Sequence, residues 1–146
     1  MSFLGLHIEL HPMVVHFPIA FFIGALVLEI LSCVFKKENL HQSAFHVASL
    51  AVIAVVLAVL TGLPEADEWG LTQHPVFNLH KTFALTTLAV AVSIFPVIWL
   101  MRRKKISSYR GIFILFLALI VMGISVAAYN GGRLVYEYSI GVEEEQ

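Results

Sequence analysis

The stretch MVVHFPIAFFIGALVLEILSCVF, residues 13–35, holds 23 residues and one formal charge, that of Glu29. A helix needs roughly 20 apolar residues to cross the ~30 Å hydrocarbon core of a bilayer. A soluble amphipathic helix would set a polar face against its apolar stripe, and this run has none. Three more runs match it, at 44–63, 76–101 and 111–129. In lipid every backbone polar group must be satisfied within its own segment, so each run reads as a helix. The sequence therefore predicts an all-α membrane protein: a single domain over 1–146, with four transmembrane helices in an up-down-up-down bundle.

The rest of the chain is equally sparing of charge. It is 59% hydrophobic and 13% charged over 146 residues, with a mean hydropathy of +0.87, too few charges to coat a soluble domain. Those present are sorted by side. Lys36 and Lys37 lie in one short loop, and Arg102, Arg103, Lys104, Lys105 and Arg110 in another. Glu9, Glu65, Asp67, Glu68, Glu137, Glu143, Glu144 and Glu145 gather at the opposite ends of the spans. The positive-inside rule then puts both basic loops in the cytoplasm and both termini outside a bacterial inner membrane. No basic residue or small-residue cleavage site marks the N-terminus as a signal peptide. A topology determinant accounts for the basic loop without nucleic acid. Cys33 is the one cysteine, which excludes an internal disulfide, a thiolate metal cluster and covalent c-type haem.

Two entrances look alike, HPMVVH at 11–16 and HPVFNLH at 74–80, while TGLPEADE and YNGGRLVYE close the second and fourth spans. Two hairpins duplicated in this way would be related by a pseudo-two-fold axis along the membrane normal. Proline favours the first helical position and turns its predecessor away from helix. His11 and His74 are thus expected at the interface. His16 and His80 are carried inward by about 6–9 Å. Pro18 should kink the first helix or reset its start.

The first and third spans face each other across the diagonal of such a bundle, on the order of 11–14 Å apart. Two histidines sharing one iron need a Cα separation of about 13 Å. His16 and His80 therefore suit the axial positions of one haem b, with His11 the other candidate on the first helix. Ala20, Ala84, Ala58, Thr61, Gly62, Gly123, Ser125, Ala127 and Ala128 offer narrow walls. Arg133 is placed to meet a propionate, with His11, His74 or Lys81 assisting. A histidine at a membrane interface also serves as a plain anchor, and small residues often serve only close packing. Zinc or copper held by some of His11, His16, His74 and His80 is the rival, as is a cofactor-free structural subunit. A weaker pair lies toward the basic end, where Glu29 and His46 would suit a quinone headgroup or a proton relay.

HPMVVHFPIA at 11–20, Thr61 and Gly62 closing the second span, a histidine opening the third, and GGRLVYEYSIGV at 131–142 resemble one family. It is the four-helix membrane family catalogued as domain of unknown function 2231, and the resemblance covers nearly the whole chain. By its pattern His11 and His16 match the paired histidines and His80 the third-span histidine, whereas His74 is peculiar to this chain. The family's closing block often reads Tyr-x-His-Gly, but here Tyr136 and Glu137 lead into Tyr138 and Ser139. The resemblance therefore supplies no ligand from the C-terminal segment. Relatives joined to Rieske-type or cytochrome c modules imply respiratory electron transfer by association. The expected function is that of a small cytochrome b-like subunit, carrying electrons between the quinone pool and an extracytoplasmic redox partner or larger complex.

Overall fold

The computed structural model describes residues 2–3, 6–7, 10–68, 70–71, 74–106 and 108–140, with side chains for 10–64, 70–71, 74–106 and 108–140. Glu9, Glu143, Glu144, Glu145 and the side chains of Glu65, Asp67 and Glu68 lie outside the described residues. Ser2–Phe3 (β1) and Leu6–His7 (β2) form a two-residue antiparallel ladder. Everything else regular is helix: α1 (Leu10–Val14), α2 (His16–Phe35), α3 (Glu38–Glu68), α4 (Pro75–Arg103) and α5 (Tyr109–Tyr136). Four spans, with α1 and α2 counted as one, are long and apolar enough to cross a membrane.

Local chemistry explains the boundaries. Pro18 has no N–H to give the Val14 carbonyl, and the first span breaks between those residues, at Val15. Lys36 ends α2 in the left-handed region at φ 52°, and the Lys37 N–H closes on the Ser32 carbonyl. That tight turn starts α3 at Glu38, an acid in the first turn of its helix. His74 takes an extended conformation ahead of Pro75, the first residue of α4. The helices overrun the apolar windows because the backbone ladder continues into polar flanks. Arg133, expected just past the last helix, lies inside α5.

Helix α2 packs on α3 and α5, and α4 packs on α5 and α3. Consequently α2 and α4 share one diagonal of the bundle, as an up-down-up-down topology requires. Alanines 25, 44, 48, 51 and 91 are fully buried at the contacts, where small side chains let backbones approach. Phe22, Ile98, Phe113 and Leu117 fill the remaining volume. Val34, Leu57, Leu115 and Met122 are more than half exposed, an outward apolar surface suited to lipid chains rather than water.

Much of the burial pattern repeats between the two hairpins, although buried Ala25 corresponds to exposed Ile94. Adding 69 to each number carries buried Pro18, Phe22 and Glu29 of α2 onto buried Thr87, Ala91 and Ile98 of α4. The same step carries Ala44, Ala48, Ala51, Val55 and Ala58 of α3 onto Phe113, Leu117, Ile120, Ile124 and Ala127 of α5, again all buried. This register differs from the one suggested by the entrance motifs. His80 is the counterpart of His11, and the resemblance of HPMVVH to HPVFNLH is offset from the structural repeat.

Between the second pair of helices, an added Cβ on Gly123 would lie 2.7 Å from Thr87 Oγ1. Gly123→Ala is expected to cost about 1–3 kcal/mol through overpacking and to lower the melting temperature in detergent. Gly111→Ala in the same helix, where a Cβ meets nothing within 4 Å, should leave it unchanged or raise it.

Candidate functional site

Ahead of the interruption at Val15, α1 lies against α3. His11 is thereby brought to the wall of the bundle, where its Nδ1 lies 2.8 Å from the Ala58 carbonyl. A backbone carbonyl can only accept, so Nδ1 carries the proton and Nε2 the lone pair. Thr61 donates to the same carbonyl at 3.0 Å. One turn beyond Ala58, Gly62 supplies the room, since a Cβ there would fall 2.7 Å from the His11 ring.

The second hairpin repeats this clip. His80 of α4 gives Nδ1–H to the Ala127 carbonyl of α5, also at 2.8 Å. Gly131, one turn further, lies under the ring, 3.2 Å from where its Cβ would be. In each hairpin the histidine and its carbonyl are 47 residues apart. The two rings then meet across the bundle with centroids 6.0 Å apart and planes at 85°.

A cavity of about 380 Å³ adjoins the pair, within the range of small-molecule sites. Ala58, Ala84, Ala127, Ala128 and Gly132 give it narrow walls, and Ile19, Val55, Phe77 and Ile124 make it apolar. Lys81 and His16 add polar groups to its lining.

The anticipated residues are only partly brought together. His16 lines the cavity and is exposed, while the ring that meets His80 is that of His11. His74 lies behind the wall against Tyr138, with ring centroids 4.5 Å apart, and its buried Nδ1 has no hydrogen-bond partner among the described residues. Arg133 forms an ion pair with Glu137 one turn on, at 2.9 Å. The guanidinium's hydrogen bond holds the Glu137 carboxyl below its ordinary range.

At the other end of the bundle His46 is exposed, and the partner of Glu29 is His41. His41 Nδ1 lies 2.6 Å from Glu29 Oε2, and both side chains are fully buried. Tyr109 Oη lies 2.8 Å from His41 Nε2. Arg110 reaches Glu29 Oε1 at 3.2 Å and Ser32 Oγ at 2.5 Å.

A family model described as "predicted membrane protein (DUF2231)" matches residues 7–144. The chain belongs to the DUF2231 family. No curated protein and no solved structure matches it. In this DUF2231 chain the residues that sequence reading passed over are His41, Tyr109 and the site role of Arg110. The apolar window opened the second span at residue 44, beyond His41. An acid following two lysines at a helix start was the available signal, because it moves the start to Glu38 and brings His41 into the span.

The glycine beneath each ring gives a graded expectation. Gly62→Ala should expel His11 from its carbonyl, and Gly131→Ala should disturb His80 less, given 2.7 Å against 3.2 Å. Nitrogen-15 NMR of labelled imidazoles in bilayers would report loss of the Nδ1 hydrogen bond of His11 in the first variant. Retention of that bond in Gly62→Ala would show that the glycine is not what seats the ring.

Proposed function

We propose that this DUF2231 protein is a small cytochrome b-like subunit that binds one haem b between His11 and His80. The observation that carries this reading is the pair of carbonyl-clipped imidazoles 6.0 Å apart across the bundle. Two imidazole nitrogens bound to one metal at ~2.0–2.1 Å set their ring centres roughly 6 Å apart. Histidines that hold a metal through one nitrogen characteristically donate the other N–H to a carbonyl or carboxylate, which fixes tautomer and ring direction.

The donor set and the cradle both fit the group. Each ring sits on a glycine whose Cβ would displace it, and small side chains border the adjoining cavity. The Ala58 and Ala127 carbonyls orient the imidazoles and raise their basicity. Lys81, at the cavity lining, offers a cation to the carboxylates of a bound group, whereas Arg133 pairs with Glu137. The apolar wall excludes water, which sets a redox potential as much as the ligands do. Haem b bound there supplies a one-electron centre.

The orientation given by the basic loops puts this centre near the extracytoplasmic face of a bacterial inner membrane. There it would pass electrons between the quinone pool and a redox partner or larger complex. A two-histidine site also admits copper or zinc. However, no three His, Cys, Asp or Glu side chains converge among the described residues, and zinc sites ordinarily take three or four protein ligands.

The test is an optical spectrum of the protein purified from haem-replete membranes, oxidised and then dithionite-reduced, beside a pyridine haemochrome assay and elemental analysis. Reduced low-spin haem b bands are expected, lost in His11→Ala and in His80→Ala and kept in His16→Ala. A colourless protein would end the reading, and zinc or copper found in its place would move the site to a different chemistry.

A further inference from the structure

At the basic end, three helices converge on one carboxylate. Glu29 of α2 is fully buried and receives His41 from α3 and Arg110 from α5. His41 and Arg110 are counterparts in the 69-residue repeat, whereas the counterpart of Glu29 is Ile98. Two positions related by the repeat, one histidine and one arginine, thus grip a single acid that has no acidic counterpart in the other half. A charge kept inside the hydrocarbon region without a symmetry-related copy marks a specialised group.

The donors fix how the line is wired. With Arg110 on Oε1, Glu29 Oε2 accepts from His41 Nδ1–H, which leaves His41 Nε2 to accept the Tyr109 hydroxyl proton. A second arrangement meets the same bonds with one more proton. His41 becomes imidazolium, its Nε2–H donates to the Tyr109 oxygen, and the Tyr109 hydroxyl turns outward. The two states differ by one proton and by one hydroxyl rotation, and no hydrogen bond inside the line is lost.

Neighbouring charge accommodates that proton. His41 meets Glu29 of α2 and Tyr109 of α5 directly. Around them Arg110 of α5 joins Glu29, Cys33 and Glu38, and Arg102 of α4 lies near Tyr109. Arg110 and the imidazolium balance the Glu29 and Glu38 carboxylates. Arg102 rests on the Phe45 ring, 4.4 Å from its centre, and acts on the line only at a distance. His41 itself is closed off, with the Phe113 ring edge-on to it and no exposed surface. Tyr109, half-buried at the head of α5, is the polar group between it and water.

We infer that the Tyr109–His41–Glu29 line is a proton-binding site that takes up one proton from water at the basic end, with Tyr109 as its gate. In the uptake step a hydronium ion gives a proton to the Tyr109 oxygen and is left as water, as the existing Tyr109 hydroxyl proton passes to His41 Nε2. One proton is gained, one imidazolium formed, and no electron moves. Glu29 holds the imidazolium through Nδ1–H, and Arg110 holds that carboxylate in place from Oε1.

The full-length protein, labelled with nitrogen-15 histidine in lipid bilayers, tests this by solid-state NMR, with His41→Gln identifying the resonance. Lowering the pH from about 9 to about 4 should convert His41 from the unequal nitrogen pair of a neutral ring to the near-equal pair of imidazolium. In Tyr109→Phe, which keeps the ring packing, exchange of the His41 Nε2 proton with deuterated solvent, measured at the acidic end where the imidazolium carries it, should slow by an order of magnitude. A His41 that keeps one protonation state throughout would overturn the site, and this titration needs no variant. Unchanged exchange in Tyr109→Phe would overturn the gate. Neither measurement depends on a cofactor, so each stands apart from the haem reading.

Discussion

A polar side chain carried into hydrocarbon must find its partner inside the protein, and the architecture follows from how this chain meets that demand. At one end His11 and His80 bond to helix carbonyls. At the other, Glu29 is held by His41 and Arg110. Between these two levels lie alanines and aromatic rings with no hydrogen-bonding obligations. The polar contacts therefore define where the helices stand, and the apolar middle fills the space they leave. Replacing either level by leucine would keep the chain in the membrane and remove the reason for this particular arrangement.

The duplication gives the two levels different characters. The histidine end keeps the repeat intact, with the same residue, the same carbonyl and the same supporting glycine in both halves. It produces a pair of imidazole rings related by the repeat, each bonded to a carbonyl of its own hairpin. The basic end departs from the repeat, with histidine opposite arginine and glutamate opposite isoleucine. Divergence there yields a directional line from Tyr109 to Glu29 in place of a symmetric clamp. One half of the molecule thus conserves the duplicate and the other half specialises it.

The four spans, their alternation and the diagonal placement of the first and third were legible from run length and charge sorting, because lipid imposes one solution on a long apolar segment. The histidine end was legible as a place, and His80 as its member. Depth counting favoured His16 because the proline after His11 was expected to leave that histidine outside the helix, at the interface. In the structure the helical span already includes His11, α1 lies against α3, and the ring that meets His80 is that of His11. The partner of Glu29 was misassigned to His46 because an apolar window cannot see a helix start made of charged residues, and α3 begins six residues before its window. Arg133 looked available for an anion because the apolar window closed at residue 129, whereas α5 continues to Tyr136 and sets Arg133 one turn before Glu137. In each case a helix boundary lies elsewhere than the apolar window put it, and the side-chain contacts follow the boundary.

Each histidine clip closes within its own hairpin, since His11 meets Ala58 and His80 meets Ala127. The contacts that cross between halves are of another kind: ring against ring at one end, Arg110 and Tyr109 against Glu29 and His41 at the other. During synthesis the first hairpin can therefore finish its clip before the second has left the ribosome. The halves then dock as two prepared pieces, and the cavity beside the rings comes into being at that docking step. A group too broad to thread between closed helices would have its opportunity then, entering between two finished hairpins as the last act of assembly.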